Sequence, residues 1–226
     1  MLIADGFASG RANQMAGEVQ RQVVALVEAG LSFVQLRDHA ASASLFEETA
    51  GHLVECLRTM QEDVIITINS RARTAHELGC GLHIGKQRMK GATEFVSPSP
   101  SGGNALRCGV DHAGEIGVGG RGEHVGYSAH SLEGFHRASA GFDYATFSPI
   151  FSTRTHPEAV SAGIEALAEV CAAVPGFPVY ALGGLTPERT EACLRAAAYG
   201  VAVLSDLLDA ANPVERLASY HEAGVL

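Results

Sequence analysis

Residues 125–147 read VGYSAHSLEGFHRASAGFDYATF and decide the fold of this 226-residue chain. The stretch begins with a short apolar strand, Val125 to Ser128, and ends with a second one, Tyr144 to Phe147. Between them, Ser131-Leu132-Glu133 opens a helix that stops at Gly141, because serine caps helices and glycine ends them. This order predicts two parallel strands joined by a crossover helix.

The same alternation continues in both directions from this unit. The other predicted strands are 2–4, 31–36, 64–68, 81–84, 179–182 and 201–204, and the other predicted helices are about 14–29, 41–60, 71–78, 163–173, 187–199 and 214–223. About eight units with continuously apolar strands predict an α/β protein, a (β/α)₈ TIM barrel forming a single domain over residues 1–226. The runner-up is a doubly wound sheet, but residues 5–10 after the first strand lack its glycine-rich phosphate fingerprint.

One region, at about residues 86–123, departs from the alternation. It carries Pro, Ser and Gly clusters with little periodicity, so we interpret it as an irregular insertion: a weakly signalled fourth helix plus an extended loop. We expect disorder around Pro98–Asn104. Gly117, Gly119 and Gly122 match a nucleotide-binding spacing, but no predicted strand precedes them and no helix follows, which favours a flexible loop.

The composition narrows the class of partner. Sixteen Lys and Arg against 25 Asp and Glu give a net charge of −9, which disfavours nucleic acid but leaves room for a small anion in a locally positive pocket. No apolar run approaches about 18 residues and no secretory signal is visible, so we expect no membrane partner. Five widely spaced cysteines without a Cys-x-x-Cys predict free thiols and a cytoplasmic location. No zinc spacing occurs, and the oligomeric state, including a homo-oligomer, stays open.

Polar residues stand at the predicted carboxyl ends of consecutive strands, where barrel enzymes carry out their chemistry. They are Gln35, Arg37, Asn69, Ser128, His130, Thr153 and Thr155. His130 is the candidate acid or base, because a histidine can both accept and donate a proton near neutral pH. His83 lies inside a predicted strand, and we expect it to be packed in the core.

The turns after the seventh and eighth strands carry Gly183, Gly184 and Ser205. In barrels, these turns often bind phosphate through main-chain N–H groups, and glycine lets the chain approach the oxygens closely. The alternative is a tight turn required by packing.

The motifs form a set: Val34-Gln35-Leu36-Arg37, Ile68-Asn69-Ser70-Arg71, Gly126 to Ser131, Ser148 to Thr155, Ala181 to Pro187 and Gly200 to Ser205. Together they resemble the superfamily of thiamine phosphate synthase and thiazole tautomerase (TenI), over nearly the whole chain. The resemblance implies a (β/α)₈ barrel in thiamine biosynthesis that binds a phosphorylated thiazole. It implies that His130 is the catalytic residue of a tautomerase and that Gly183, Gly184 and Ser205 bind the phosphate.

The sequence departs from the synthase pattern where the synthase holds Mg²⁺ and pyrophosphate. Ser70 stands where the synthase has an Asp, and Lys86-Gln87-Arg88-Met89 supply no second carboxylate. The synthase lysines are missing after Arg37 and at His156. Since Mg²⁺ prefers hard oxygen ligands, the sequence predicts a metal-free isomerase without a cofactor.

Two other functions stay open. One is a thiamine phosphate synthase, a transferase that condenses a pyrimidine pyrophosphate with a thiazole phosphate and would need Mg²⁺. The other is a non-catalytic protein that binds a thiazole or thiamine phosphate. Whether His39 or His156 replaces a missing lysine also stays open.

Overall fold

Eight parallel strands form one sheet, arranged in the order in which they follow one another along the chain. The computed structural model describes residues 1–11, 14–85, 108–110, 116–118, 124–139, 141–154 and 157–224. The strands are β1 Leu2–Asp5, β2 Phe33–Arg37, β3 Ile65–Asn69, β4 Gly81–Ile84, β7 Val125–Ala129, β8 Tyr144–Phe147, β9 Val179–Leu182 and β10 Gly200–Ala202. β5 Cys108–Val110 and β6 Ile116–Val118 form a separate antiparallel hairpin.

The last strand joins the first through main-chain hydrogen bonds. The Ile3 N–H donates to the Val203 carbonyl at 2.8 Å, and the Val203 N–H donates to the Met1 carbonyl at 3.0 Å. A parallel bridge between Leu2 and Val203 accompanies them. The sheet therefore closes on itself, which confirms the predicted eight-stranded barrel.

Helices alternate with the strands around the barrel. They are α1 Ala16–Glu28, α2 Ala43–Met60, α3 Ala72–Glu77, α4 Leu132–Ser139, α5 Gly163–Ala173, α6 Pro187–Arg195, α7 Ser205–Leu208 and α8 Pro213–Glu222. All but the short α7 were predicted. Among the described helices, none combines the length and apolarity needed to cross a membrane.

The irregular region is only partly described. The predicted fourth helix and the disorder expected around Pro98–Asn104 lie outside the described residues. Gly117 was interpreted as part of a flexible loop, and this was wrong: it lies in β6, paired with Gly109. A strand of three residues is too short to show a period in the sequence.

Four cysteines, Cys56, Cys80, Cys171 and Cys193, are free thiols, as predicted. The cytoplasmic location inferred from them stays a prediction.

Side chains on each strand alternate between two cores. Leu2, Val34 and Ile68 point outward and are buried against the helices. Phe33, Tyr144 and Tyr180 point into the barrel at the amino-terminal ends of their strands, and their rings meet edge to face at 5.2–5.7 Å. These rings fill the amino-terminal half of the barrel interior and leave its carboxyl-terminal half for a cavity.

Gly126 makes room for the Tyr144 ring. The two residues are direct partners in the pairing of β7 with β8. A Cβ on Gly126 would overlap the Tyr144 ring atoms Cζ and Cε1. Because a ring in a packed core cannot move away freely, only glycine fits at this position.

We expect Gly126→Ala to lower the free energy of unfolding by about 1–3 kcal/mol through overpacking. Gly51→Ala is the matched control: in the middle of α2 its new Cβ would meet only Leu78 Cδ2, at 3.8 Å. The control should gain roughly 0.5–1 kcal/mol, because alanine loses less backbone entropy in a helix. Urea unfolding of both variants measures the difference, and a stability of Gly126→Ala equal to that of the wild type would contradict this packing.

Candidate active site at the carboxyl ends of the strands

A cavity of about 1060 Å³ opens at the carboxyl ends of the barrel strands. Nine of the predicted site residues line it: Gln35, Arg37, Asn69, Ser128, His130, Thr153, Gly183, Gly184 and Ser205. The tenth, Thr155, lies outside the described residues, as does His156. Parallel strands thus bring together residues that are up to 170 positions apart in the chain (Gln35 and Ser205).

The floor of the cavity has a polar side and an apolar side. Polar side chains come from β2, β3, β4, β7 and β8: Gln35, Asn69, His83, Ser128 and Thr146. Apolar ones come from β9, β10 and β1: Leu182, Ala202 and Ile3. Within the described residues, Gln35 Nε2 and Thr146 Oγ1 are buried without a hydrogen-bond partner. A ligand ring that carries polar atoms along one edge would match this division of the floor.

His130 follows β7 and reaches towards the loop after β8. Its Nδ1 lies 2.9 Å from the Ser148 carbonyl oxygen. Because a carbonyl only accepts hydrogen bonds, Nδ1 carries the proton, and Nε2 of the neutral ring is left as the basic nitrogen. The side chain is exposed at the mouth and lines the cavity, so it is placed to exchange protons with a ligand.

His83 has a larger role than the core residue that the sequence predicted. It is buried, as predicted, and it also lines the cavity. Its Nε2 lies 2.8 Å from Ser128 Oγ and its Nδ1 lies 2.9 Å from the Tyr144 hydroxyl. Burial, helped by the positive charge of Arg37, lowers the pKa of His83 to about 3. The ring is therefore neutral near pH 7 and holds Ser128 in place.

Arg37 is oriented by Asp5, a partner that the sequence analysis did not name. Arg37 Nε donates to Asp5 Oδ1 at 3.0 Å and Nη2 donates to Oδ2 at 3.2 Å. The two residues end β1 and β2 and are direct partners in the sheet. Because Asp5 and Arg37 follow neighbouring predicted strands at matching positions, this pairing is the signal by which Asp5 could have been found.

Asp38 ties the loop after β2 to the loop after β1. Its carboxylate accepts hydrogen bonds from the main chain of Ala8, Ser9, Ala40 and Ala41 and from the Ser9 hydroxyl, at 2.8–3.1 Å. Burial by itself would raise the pKa of Asp38, but hydrogen bonds from Ser9, Ala41 and Ala8 outweigh it and lower the pKa below its ordinary value.

Gly183 and Gly184 adopt positive φ angles of 101° and 64°. A Cβ on Gly183 would lie 2.8 Å from Pro149 Cα, and one on Gly184 would lie 2.9 Å from Phe151 Cβ. Main-chain bonds from Ile150 to Leu182 and from Phe151 to Gly183 fix the same contact. Packing explains both glycines, and phosphate binding by their N–H groups stays a prediction.

The carboxylates that the structure describes in the cavity do not form a magnesium site. Asp38 is occupied by the two loops, and Asp206 is held by Arg216 at 2.7 and 3.0 Å and by Tyr220 at 2.8 Å. Ser70 lines the cavity where a carboxylate would be needed. In the described part of the chain, no three His, Cys, Asp or Glu side chains come together as metal ligands. These residues do not fit Mg²⁺, which prefers carboxylates and other hard oxygens.

The cavity is more positive than the chain that surrounds it. Its lining includes Arg37, Arg71, Arg154 and Arg189 against Asp38, Glu158 and Asp206. The whole chain carries a net charge of −9. The local excess of arginine matches the small anionic ligand expected from the sequence.

Comparison with known proteins identifies the family. A family model described as thiamine monophosphate synthase matches residues 7–95 and 115–207. The chain belongs to this family. The match confirms the resemblance to the thiamine phosphate synthase and TenI superfamily, and it makes this barrel a member of an enzyme family that acts on phosphorylated small molecules.

Individual relatives agree with this assignment. The chain is 30% identical over 201 residues to a thiamine-phosphate synthase of Koribacter versatilis, covering 86% of this chain and 81% of the relative. A shorter match, 44% identical over 90 residues, covers 38% of this chain and only 39% of a thiamine-phosphate synthase of Salinibacter ruber. The solved structure of thiamine phosphate pyrophosphorylase from Pyrococcus furiosus superposes with a TM-score of 0.72 at 20% identity, covering 98% of this chain and 93% of that one. At that identity the superposition supports the fold alone.

We expect Asp38→Asn to lower the free energy of unfolding by about 2 kcal/mol at pH 7, because hydrogen bonds to a charged acceptor are lost. A lowered folded-state pKa means that ionised Asp38 stabilises the fold above about pH 4, the ordinary Asp value, and that this contribution is lost as the pH falls through the lowered pKa. The difference from wild type should therefore shrink below about pH 4.

Urea unfolding at pH 7 and pH 3 measures this effect. Asp63→Asn is the control, because Asp63 is exposed and should change stability little at either pH. A loss of stability in Asp38→Asn that is equal at both pH values would contradict the assigned role.

Proposed function

We propose that this family member binds a thiazole phosphate at the mouth of the barrel. The proposal is supported by the convergence of nine predicted site residues on one cavity that carries more arginines than carboxylates. The thiazole phosphate would lie by Gly183, Gly184 and Ser205, with the apolar floor of Leu182 and Ala202 beneath the ring.

For the reaction, we propose condensation of this thiazole phosphate with a pyrimidine pyrophosphate, the activity of a transferase. The observation that supports it is the 30% identity to a named thiamine-phosphate synthase over 81% of that relative. The sequence predicts an isomerase first, whereas the relatives favour the alternative, a transferase. The cavity volume lies just above the usual range of about 300–1,000 Å³ for small-molecule sites, which suits two substrates.

The residues of this chain would contribute binding and orientation. Gln35 and Asn69 would face the polar pyrimidine from the polar side of the floor. Arg37, held by Asp5, would meet the pyrophosphate that leaves. Since the described residues do not fit Mg²⁺, we propose that the Arg37 guanidinium, which lines the cavity, stabilises that leaving group.

A second candidate is the tautomerase, favoured by the geometry of His130. Its Nδ1 donates to Ser148 and leaves Nε2 basic, which is the arrangement needed to move a proton between two atoms of a thiazole. This reaction needs no metal, in agreement with the donor set of the cavity. A third, non-catalytic function would show as binding without turnover.

A pair of assays separates these functions. Purified protein is given pyrimidine pyrophosphate with thiazole phosphate, and separately the non-aromatic thiazole carboxylate phosphate, each in EDTA and in Mg²⁺. We expect thiamine phosphate from the first mixture, at a rate in EDTA within a few-fold of that in Mg²⁺. No condensation together with rapid aromatisation in the second would overturn the transferase in favour of the isomerase.

The variant His130→Gln further distinguishes the tautomerase from the condensation. If the tautomerase is correct, turnover should fall by about 10²–10⁴-fold while thiazole phosphate still binds, because one acid or base is lost. In a condensation that moves no proton through His130, the rate should change much less. His136→Gln is the control, since it is an exposed histidine on the neighbouring helix α4.

A further inference from the structure

Asp209 joins two arginines from two different loops at the rim of the cavity. It follows α7, and its Oδ1 lies 2.6 Å from Arg11 Nη1 while its Oδ2 lies 3.3 Å from Arg154 Nη2. Arg11 belongs to the loop after β1, and Arg154 to the loop after β8. None of the three residues was predicted from the sequence to belong to the site.

Arg11 reaches the residue that the sequence predicted to bind phosphate. Its Nη2 donates to Ser205 Oγ at 3.4 Å, and Ser205 lines the cavity. Only 15% of the Arg11 side chain is exposed. Gln14 fixes it further, accepting from Arg11 Nη1 at 3.3 Å and donating to the Leu208 carbonyl at 2.7 Å. Arg11 is therefore held in place beside Ser205.

Arg154, in the loop after β8, contacts the same Asp209 carboxylate as Arg11. It lines the cavity and its side chain is 83% exposed, so it can turn without breaking a packed contact. Two guanidinium groups that share one carboxylate leave a net charge of +1. A phosphate monoester offers more oxygens and more negative charge than Asp209 does, and planar guanidinium groups suit phosphate oxygens well.

Displacement of Asp209 costs the fold little. Its side chain is 43% exposed, and ion pairs at exposed positions contribute between nothing and about 1 kcal/mol. The neighbouring Asp206 does not compete for these arginines, because Arg216 and Tyr220 hold it. Asp209 therefore acts as an exchangeable counter-ion for Arg11 and Arg154.

We propose that Arg11 and Arg154 bind the phosphate group of the substrate beside Ser205, and that Asp209 competes with that phosphate for them. The inference rests on the proposed function for the identity of the ligand. It adds two cationic ligands and one competing anion to a site otherwise built from main chain and a serine.

The test is calorimetric titration with thiazole phosphate and with the thiazole alcohol that lacks the phosphate. Arg11→Gln should weaken binding of the phosphate by about tenfold, the loss of one charge-assisted contact, and leave the alcohol unchanged. Asp209→Asn should strengthen binding of the phosphate several-fold. Arg195→Gln is the control, because Arg195 pairs with Glu191 on the exposed face of α6.

Arg11→Gln and Asp209→Asn are expected to change the affinity for the phosphate in opposite directions. This difference distinguishes a phosphate clamp, in which Arg11 and Arg154 bind the phosphate, from a purely structural ion pair. A structural pair predicts that Arg11→Gln and Asp209→Asn both weaken binding, or that neither does, and either result would overturn the proposal. Thermal unfolding of each variant shows whether the fold is retained. Arg154→Gln is a second variant, at an exposed position, that should fold normally and also weaken binding of thiazole phosphate.

Titration with inorganic phosphate separates this inference from the proposed function. Arg11-dependent binding of inorganic phosphate without binding of thiazole phosphate would support the clamp and reject the proposed substrate. Binding of thiazole phosphate that is unchanged in all three variants would reject the clamp and keep the substrate. A wild-type protein that binds neither compound would reject both.

Discussion

The ring of Tyr144 inside the barrel is the constraint on which the site depends. It lies over Gly126, packs edge to face with Phe33 and Tyr180, and carries its hydroxyl to His83. Burial raises the pKa of this hydroxyl well above its ordinary value, so it stays protonated. The ring therefore ends the packed half of the interior and its hydroxyl begins the polar half, where His83 and then Ser128 follow.

Charge is distributed to suit a small anion in an acidic protein. The excess of 25 carboxylates over 16 basic residues belongs to the chain as a whole, while four arginines line the cavity. Each of the carboxylates Asp5, Asp38 and Asp206 is engaged by a specific partner, so none of them is left as an open anion in the mouth. The same engagement explains why the described residues of the cavity do not fit a magnesium ion.

The sequence predicted the barrel and the residues at its strand ends because both follow local rules. Apolar runs separated by capped helices indicate parallel strands, and a polar residue such as Asn69 or Ser128 that ends such a run must face the mouth. The missed residues depend on contacts between loops. Asp209 meets Arg11 from 198 positions away, and no local pattern encodes such a pair. His83 was assigned to the core because its burial could be predicted from its strand, whereas its two hydrogen bonds could not.

The loops of the rim are fastened to one another as well as to the barrel. Asp38 joins the loop after β2 to the loop after β1, and Asp209 joins the loop after β1 to the loop after β8. The loop after β8 is in turn bonded to β9 through Ile150 and Leu182. We therefore expect substitutions within one of these networks to have non-additive effects on the free energy of unfolding, including at pairs such as Arg11 and Arg154 that meet only through Asp209.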